Sequence, residues 1–174
     1  GAAVGSPLLT PIAPVPVGKA EVLEEGDDVV LLAIGAVVAE ALKARALLSE
    51  HGVQATVVDA RFVKPLDAGL ATELARRIPR IVTVEENVRQ GGFGSAVLEA
   101  LSDAGLSSVA VERIGLPDGF VEHGSQALLR SRYGLDAAAI AAATRRFLRQ
   151  NEPLSDAEPF LRTDRASALR RSTL

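Results

Sequence analysis

The chain has 174 residues, 48% of them apolar and 24% charged, with a formal charge of −3, which is room for one well-cored domain plus appended segments. Aromatics make up only 3% and the basic residues are dispersed, so neither a base-stacking platform nor a cationic stripe is available and nucleic acid is not an expected partner. No apolar run reaches the roughly 18 residues of a membrane span, and the absence of Cys excludes disulfides, thiolate catalysis and zinc–thiolate sites.

Gly1 to Val17 carries Pro7, Pro11, Pro14 and Pro16. Proline removes backbone donors and fixes φ, so residues 1–17 are expected to form an extended arm or linker. No basic segment followed by an apolar core marks a signal peptide, and a cytoplasmic location is expected. Met is absent, and the chain is expected to be a piece of a longer polypeptide.

Lys19 to Leu23 reads as a strand, with Glu24 to Asp28 as its turn. The following run, Val29 to Ile34, is short, β-branched and bounded by turn residues, the pattern of a strand covered on both faces. After Gly35 the period changes to that of an amphipathic helix, with Val37, Ala41, Ala44 and Leu48 on one stripe. His51-Gly52 ends it. The alternation then repeats, with strands at Gln54 to Asp59, Ile81 to Glu85 and Ser108 to Ile114. Helices are expected at Ala68 to Arg77, Gly94 to Asp103 and Asp136 to Arg149, the first of them capped by Asp67.

Such alternation predicts a three-layer α/β domain over residues 18–150, with a five-stranded, mostly parallel sheet and right-handed crossovers. The first strand is expected to be antiparallel at an edge. The strands at Val29–Ile34, Ala55–Val58 and Ile81–Val84 are expected to be central. From Asn151 to Leu174 no apolar period is sustained, and this tail is read as a surface arm or flexible extension.

Function in an open α/β sheet collects in loops at the carboxyl ends of strands. Three loops stand out. The first, Asp59 to Asp67, holds Arg61, Phe62 and Lys64 around a proline. It suits an interface or anion contact, or merely a turn whose cations pair with nearby carboxylates. The second, Val84 to Ser95, contains Glu85, Glu86, Asn87, Arg89, Gly91, Gly92 and Phe93. Its glycines permit close backbone approach, and a Gly-rich turn opening a helix can hold an anion. It is neither the dinucleotide fingerprint nor a P-loop, so steric packing is favoured over phosphate binding. Glu85 and Glu86 are consecutive in a strand and point to opposite faces, which argues against a shared proton. The third, Gly115 to Ser125, holds Phe120 and His123. No triad partner or second metal-spaced His accompanies His123, so a structural or interface role is expected.

The stretches Val57 to Asp67 (VVDARFVKPLD), Val82 to Leu101 (VTVEENVRQGGFGSAVLEAL) and Gly115 to Ser125 (GLPDGFVEHGS) together resemble the C-terminal domain of the 1-deoxy-D-xylulose-5-phosphate synthase family. Pro16 to Leu42 and Tyr133 to Ile140 are also similar, and the likeness runs from Gly1 to about Leu148. The wider transketolase-like group, including the β subunits of 2-oxoacid dehydrogenases, shares several of these features. Glu85-Glu86-Asn87 and the GLPD…EHGS loop favour the synthase.

The resemblance implies a homodimeric transferase with three domains per chain. It would condense pyruvate with glyceraldehyde 3-phosphate on thiamine diphosphate with Mg²⁺, releasing carbon dioxide and feeding isoprenoid, thiamine and pyridoxal synthesis. In that family the metal–diphosphate site and the activating glutamate lie in the other two domains. No catalytic, cofactor-binding or metal-binding residue is therefore carried onto this chain, which alone is expected to bind no cofactor. Its expected partners are the remaining domains and a second subunit, met through Arg61, Phe62, Lys64, Glu86, Asn87, Arg89, Gly91, Gly92, Phe93, Phe120 and His123. The alternatives are a dehydrogenase β-subunit domain and a stand-alone anion-binding module.

Overall fold

Every residue of Val29–Ala33 is buried, as a short β-branched run requires when both faces of a strand are covered. The computed structural model describes residues 14–151, so most of the expected proline arm and all of the expected tail except Asn151 lie outside the described residues. Its strands are β1 (Glu21–Glu24), β2 (Val29–Ala33), β3 (Ala55–Asp59), β4 (Arg80–Val88) and β5 (Ala110–Leu116). They form one five-stranded sheet in the order β1-β3-β2-β4-β5. The last four run parallel, and β1 is antiparallel to β3 at the edge.

The expected class, the antiparallel edge and the three central strands are all observed. The tight turn after β1 does not make a hairpin with β2. Gly26 crosses β3 so closely that a Cβ there would sit 2.6 Å from the Gln54 carbonyl. Its N–H donates to Thr56 Oγ1 at 3.0 Å, and the Asp28 carboxylate accepts from Gln54 N–H at 2.7 Å. These ties carry the chain across β3 before β2 begins.

Successive strand residues face opposite ways, and the apolar residues divide accordingly into two cores. Val29, Leu31 and Ala33 join Ala41, Ala44 and Leu48 of α1 (Val38–Ser49) and Ile140 and Phe147 of α5 (Ala137–Gln150). Val30, Leu32 and Ile81 join Leu74 of α2 (Ala68–Arg77) and Phe93 and Val97 of α3 (Phe93–Asp103). Each large side chain so buried contributes roughly 1.5–3 kcal/mol, which holds helices on both faces. A short 3-10 turn, Gly35–Val37, leads into α1. The anticipated stripe of Val37, Ala41, Ala44 and Leu48 is fully buried.

Two elements differ most from the sequence reading, and β5 also runs to Leu116, so that Gly115 and Leu116 are strand residues and not the start of the third loop. β4 continues to Val88, past an irregularity between Val84 and Val88 in its pairing with β5. Glu86 and Asn87 are thus strand residues, not loop residues. The second difference is α4 (Gln126–Arg132), which was not anticipated. It buries no residue and so leaves no apolar stripe to read.

Candidate functional site

Because β2 to β5 are parallel, the loops that follow them leave from one end of the sheet. In the first loop, Arg61 takes left-handed backbone, with φ of 56°, a region that non-glycine residues seldom enter. Its N–H donates to Asp59 Oδ1 at 2.9 Å and its guanidinium pairs with Glu21 of β1. Phe62 is half-buried, and Lys64 is exposed. Asp67 caps α2, accepting from Leu70 N–H and Ala20 N–H at 3.2 Å each, with Lys19 Nζ at 3.6 Å. Burial pushes the Asp67 carboxyl up. The two N–H bonds and the Lys19 charge outweigh it and hold the group below its ordinary value. Arg61 thus has a carboxylate partner within the chain. Asp67 takes Lys19, not Lys64, as its cation.

The second loop is organised by Glu85, which is fully buried at the end of β4. Its two carboxylate oxygens accept from Phe93 N–H at 2.7 Å and Gly94 N–H at 2.8 Å. A helix starts with unpaired N–H groups and a positive dipole end, and here the protein's own carboxylate occupies that position. The approach is close enough to demand glycine. A Cβ on Gly92 would strike Glu85 Oε2 and the Val88 carbonyl, and one on Gly94 would lie 2.6 Å from Thr83 Oγ1. Gly115 of β5 would meet Arg89 Cγ at 2.9 Å. Of Gly91, Gly92, Gly94 and Gly115, Gly91 alone needs glycine for its backbone angle, with φ of 70° and open space around it. The glycines therefore serve packing. Phe93 is completely buried in its own core, so this candidate is an internal support and not a surface contact.

Glu86 faces away from that clamp and accepts from Arg130 Nε of α4 at 2.6 Å. This hydrogen bond raises the Arg130 pKa against the opposing pull of burial. Asn87 and Arg89 are exposed. The Arg89 carbonyl accepts from Arg113 Nη1 at 3.0 Å and from Ser95 Oγ at 3.1 Å, tying the turn to β5 and α3. In the third loop Phe120 is fully exposed and His123 is exposed. Glu122 accepts from Tyr133 Oη at 2.7 Å and pairs with Arg132. The Tyr133 hydrogen bond, with the Arg132 charge, lowers the Glu122 carboxyl, and the same hydrogen bond raises the Tyr133 phenol against the opposing Arg132 charge.

The end of β4 and α4, the helix that follows the third loop, therefore meet through Glu86 and Arg130. The first loop lies on the other side of β2, beside β1.

Residues 18–140 match the family described as transketolase, C-terminal domain. The chain belongs to that family. As a transketolase C-terminal domain it is 54% identical over 148 residues to 1-deoxy-D-xylulose-5-phosphate synthase 1 of Geobacter sulfurreducens, covering 85% of this chain and 23% of that protein. It is also 54% identical over 156 residues to the corresponding synthase of Gloeobacter violaceus, covering 89% of this chain and 24% of that protein. The chain thus spans about a quarter of the length of these relatives. Among solved structures, a split-gene transketolase described as an inactive β4 tetramer aligns with a TM-score of 0.73 and 37% identity, over 83% of this chain and 46% of that one.

Among the described residues of this transketolase C-terminal domain no arrangement fits thiamine diphosphate or Mg²⁺. Among the described residues no group of three or more His, Asp or Glu gathers as metal ligands. The N–H groups of Phe93 and Gly94, the natural cradle for a diphosphate, are already bonded to Glu85. Sequence reasoning weighed Glu85 only as an acid/base partner of Glu86 and missed the clamp. The readable signal was a carboxylate closing an apolar strand just before a Gly-rich turn into a helix. The packing role of Gly115 had no such signal, because the sequence places Gly115 at the start of the third loop and only the structure brings it within β5.

Proposed function

We propose that this domain forms part of a 1-deoxy-D-xylulose-5-phosphate synthase, a thiamine-diphosphate-dependent transferase condensing pyruvate with glyceraldehyde 3-phosphate in the cytoplasm. Within that enzyme its role is assembly and support of a site built by other domains of a homodimer, where thiamine diphosphate and Mg²⁺ bind. The 54% identity to two synthases along most of the chain supports the enzyme. The Glu85 clamp carries the supporting role, because it closes the one Gly-rich turn that resembled an anion site. The same observation removes the basis for a stand-alone anion-binding module. The split-gene transketolase described as an inactive β4 tetramer is consistent with a C-terminal piece that assembles without catalysing.

The contact surface in this reading is the second and third loops together with α4, with Phe120 and His123 exposed and Arg130 and Arg132 on that helix. Aromatics and Arg are the usual anchors of such interfaces. Arg61, Phe62 and Lys64 form a separate candidate contact beside β1.

A chimaera tests the assignment. Residues 18–150 of this chain replace the matching segment of the Geobacter sulfurreducens synthase, and separately that of a 2-oxoacid dehydrogenase β subunit. The synthase chimaera is expected to keep its dimer and its activity, and the dehydrogenase chimaera to lose both. The reverse result would overturn the reading.

A further inference from the structure

β5 is the last strand in the sheet order, and among the described residues no strand pairs with its outer edge. A groove of about 510 Å³ follows that edge. It is lined by four consecutive β5 residues, Glu112 to Gly115. Consecutive strand residues alternate between faces, so a groove touching all four runs along the edge and not over one face. Small side chains of α5, Ala139, Ala142 and Ala143, line another side and leave it open.

The charge of this groove is one-sided. Arg89, Arg113, Arg132 and Arg146 line it against the single carboxylate of Glu112. Arg113 is braced on the α3 side, with Nη1 donating to Ser95 Oγ and to the Arg89 carbonyl at 3.0 Å each. Arg146 projects from α5 and is exposed. Arg132 sits at the end of α4, paired with Glu122. Cations therefore flank the edge on the α3 side and on the α5 side.

An open edge offers unpaired N–H and C=O groups to any extended chain. A second copy fits it poorly. Two β5 edges related by a twofold axis run antiparallel, and full overlap of Ala110–Leu116 is centred on Arg113. Arg113 would then face its own copy, and like charges directly opposite are destabilising. An acidic strand meets no such conflict. Its main chain would bond the β5 edge, and its alternating side chains would reach arginines on both sides, the usual division between affinity and specificity in strand addition.

We propose that the β5 edge and its arginine-lined groove form a docking site for an extended acidic segment of a partner polypeptide, which adds to the sheet as an outer strand. The site does not depend on which enzyme the domain belongs to.

The test is fluorescence anisotropy on the intact chain with a labelled peptide of repeating Glu-Glu-Val-Val, whose consecutive glutamates face both sides of the added strand. The same peptide is also used with Lys for Glu, and with alternate amides N-methylated on its pairing edge. The acidic peptide is expected to bind at least about tenfold more tightly than either control, a difference of roughly 1.4 kcal/mol. Arg146→Glu lies on an exposed helix surface and leaves the fold intact. It is expected to weaken binding about tenfold, and Arg113→Glu further. Equal binding of the methylated or basic peptide, or indifference to Arg146→Glu, overturns the proposal. So does strong hydrogen-exchange protection of the outward β5 amides without peptide. Protection in a monomeric chain would mean that the edge is covered within the chain, and protection in a dimer would mean a second copy.

Discussion

Glu85 shows how one residue sets the character of the Gly-rich turn. A buried carboxylate with two N–H donors resembles an anion site in composition and closes it in fact. Removing it leaves both donors buried and unpaired, at about 1–3 kcal/mol each. Glu85→Ala is therefore expected to destabilise the chain by about 2–6 kcal/mol, and Glu85→Gln by less, since one carbonyl acceptor remains. Urea denaturation midpoints measure both. Asp67 supports a second residue-scale prediction. Its folded carboxyl titrates below the ordinary 3.8, so it contributes stability above that value, and the contribution is lost as pH falls through the lower folded value. Asp67→Asn is expected to be less stable than the native chain near neutrality. The gap should narrow below about pH 4, as read from denaturation midpoints across an acid series.

At the scale of elements, α4 is the outlier. It buries no side chain and is held to the sheet end by Arg130–Glu86 and to its own loop by Ser125 and the Glu122–Arg132 pair. Segments with few buried apolar contacts open at low free energy. Amides of Gln126–Arg132 are expected to exchange much faster than those of α3, and Glu86→Gln is expected to speed them further while leaving α3 unchanged. Hydrogen exchange read by mass spectrometry tests this, and α4 protection equal to that of α3 would refute it. The elements with strong periodicity, β2 and α1 above all, were legible because each carries its own burial pattern. α4 and the end of β4 were not, because their order depends on ion pairs and on β5 lying alongside.

For the whole molecule, the separation of Phe93 from Phe120 matters most. Both are loop aromatics in the sequence, yet one fills the core and the other is fully exposed. Phe120→Ser is expected to leave the stability of the isolated chain within about 0.5 kcal/mol and to weaken assembly of the full-length enzyme. Phe93→Ser is expected to unfold the domain, because removing a buried aromatic costs about 3–5 kcal/mol. Thermal denaturation of the chain and sedimentation of the full-length protein separate the two. Unchanged assembly of the Phe120→Ser protein would remove this loop from the proposed contact surface.

Local pattern was enough for the α/β class, the order of the five strands and of every helix except α4, and the antiparallel edge. Whether a strand or helix is buried on one face or two is written in its own few residues. The caps at Asp67 and Asp136 follow the same rule, since each accepts from an N–H three residues on. Tertiary structure alone decided that β1 pairs with β3, that Glu85 fills the turn, that Gly115 makes room for Arg89, and that arginines from four different elements and turns line the β5 edge. Those outcomes depend on which distant segments come within a few ångströms of one another. Close approach is settled by packing across the sheet, not by any residue's neighbours in the chain.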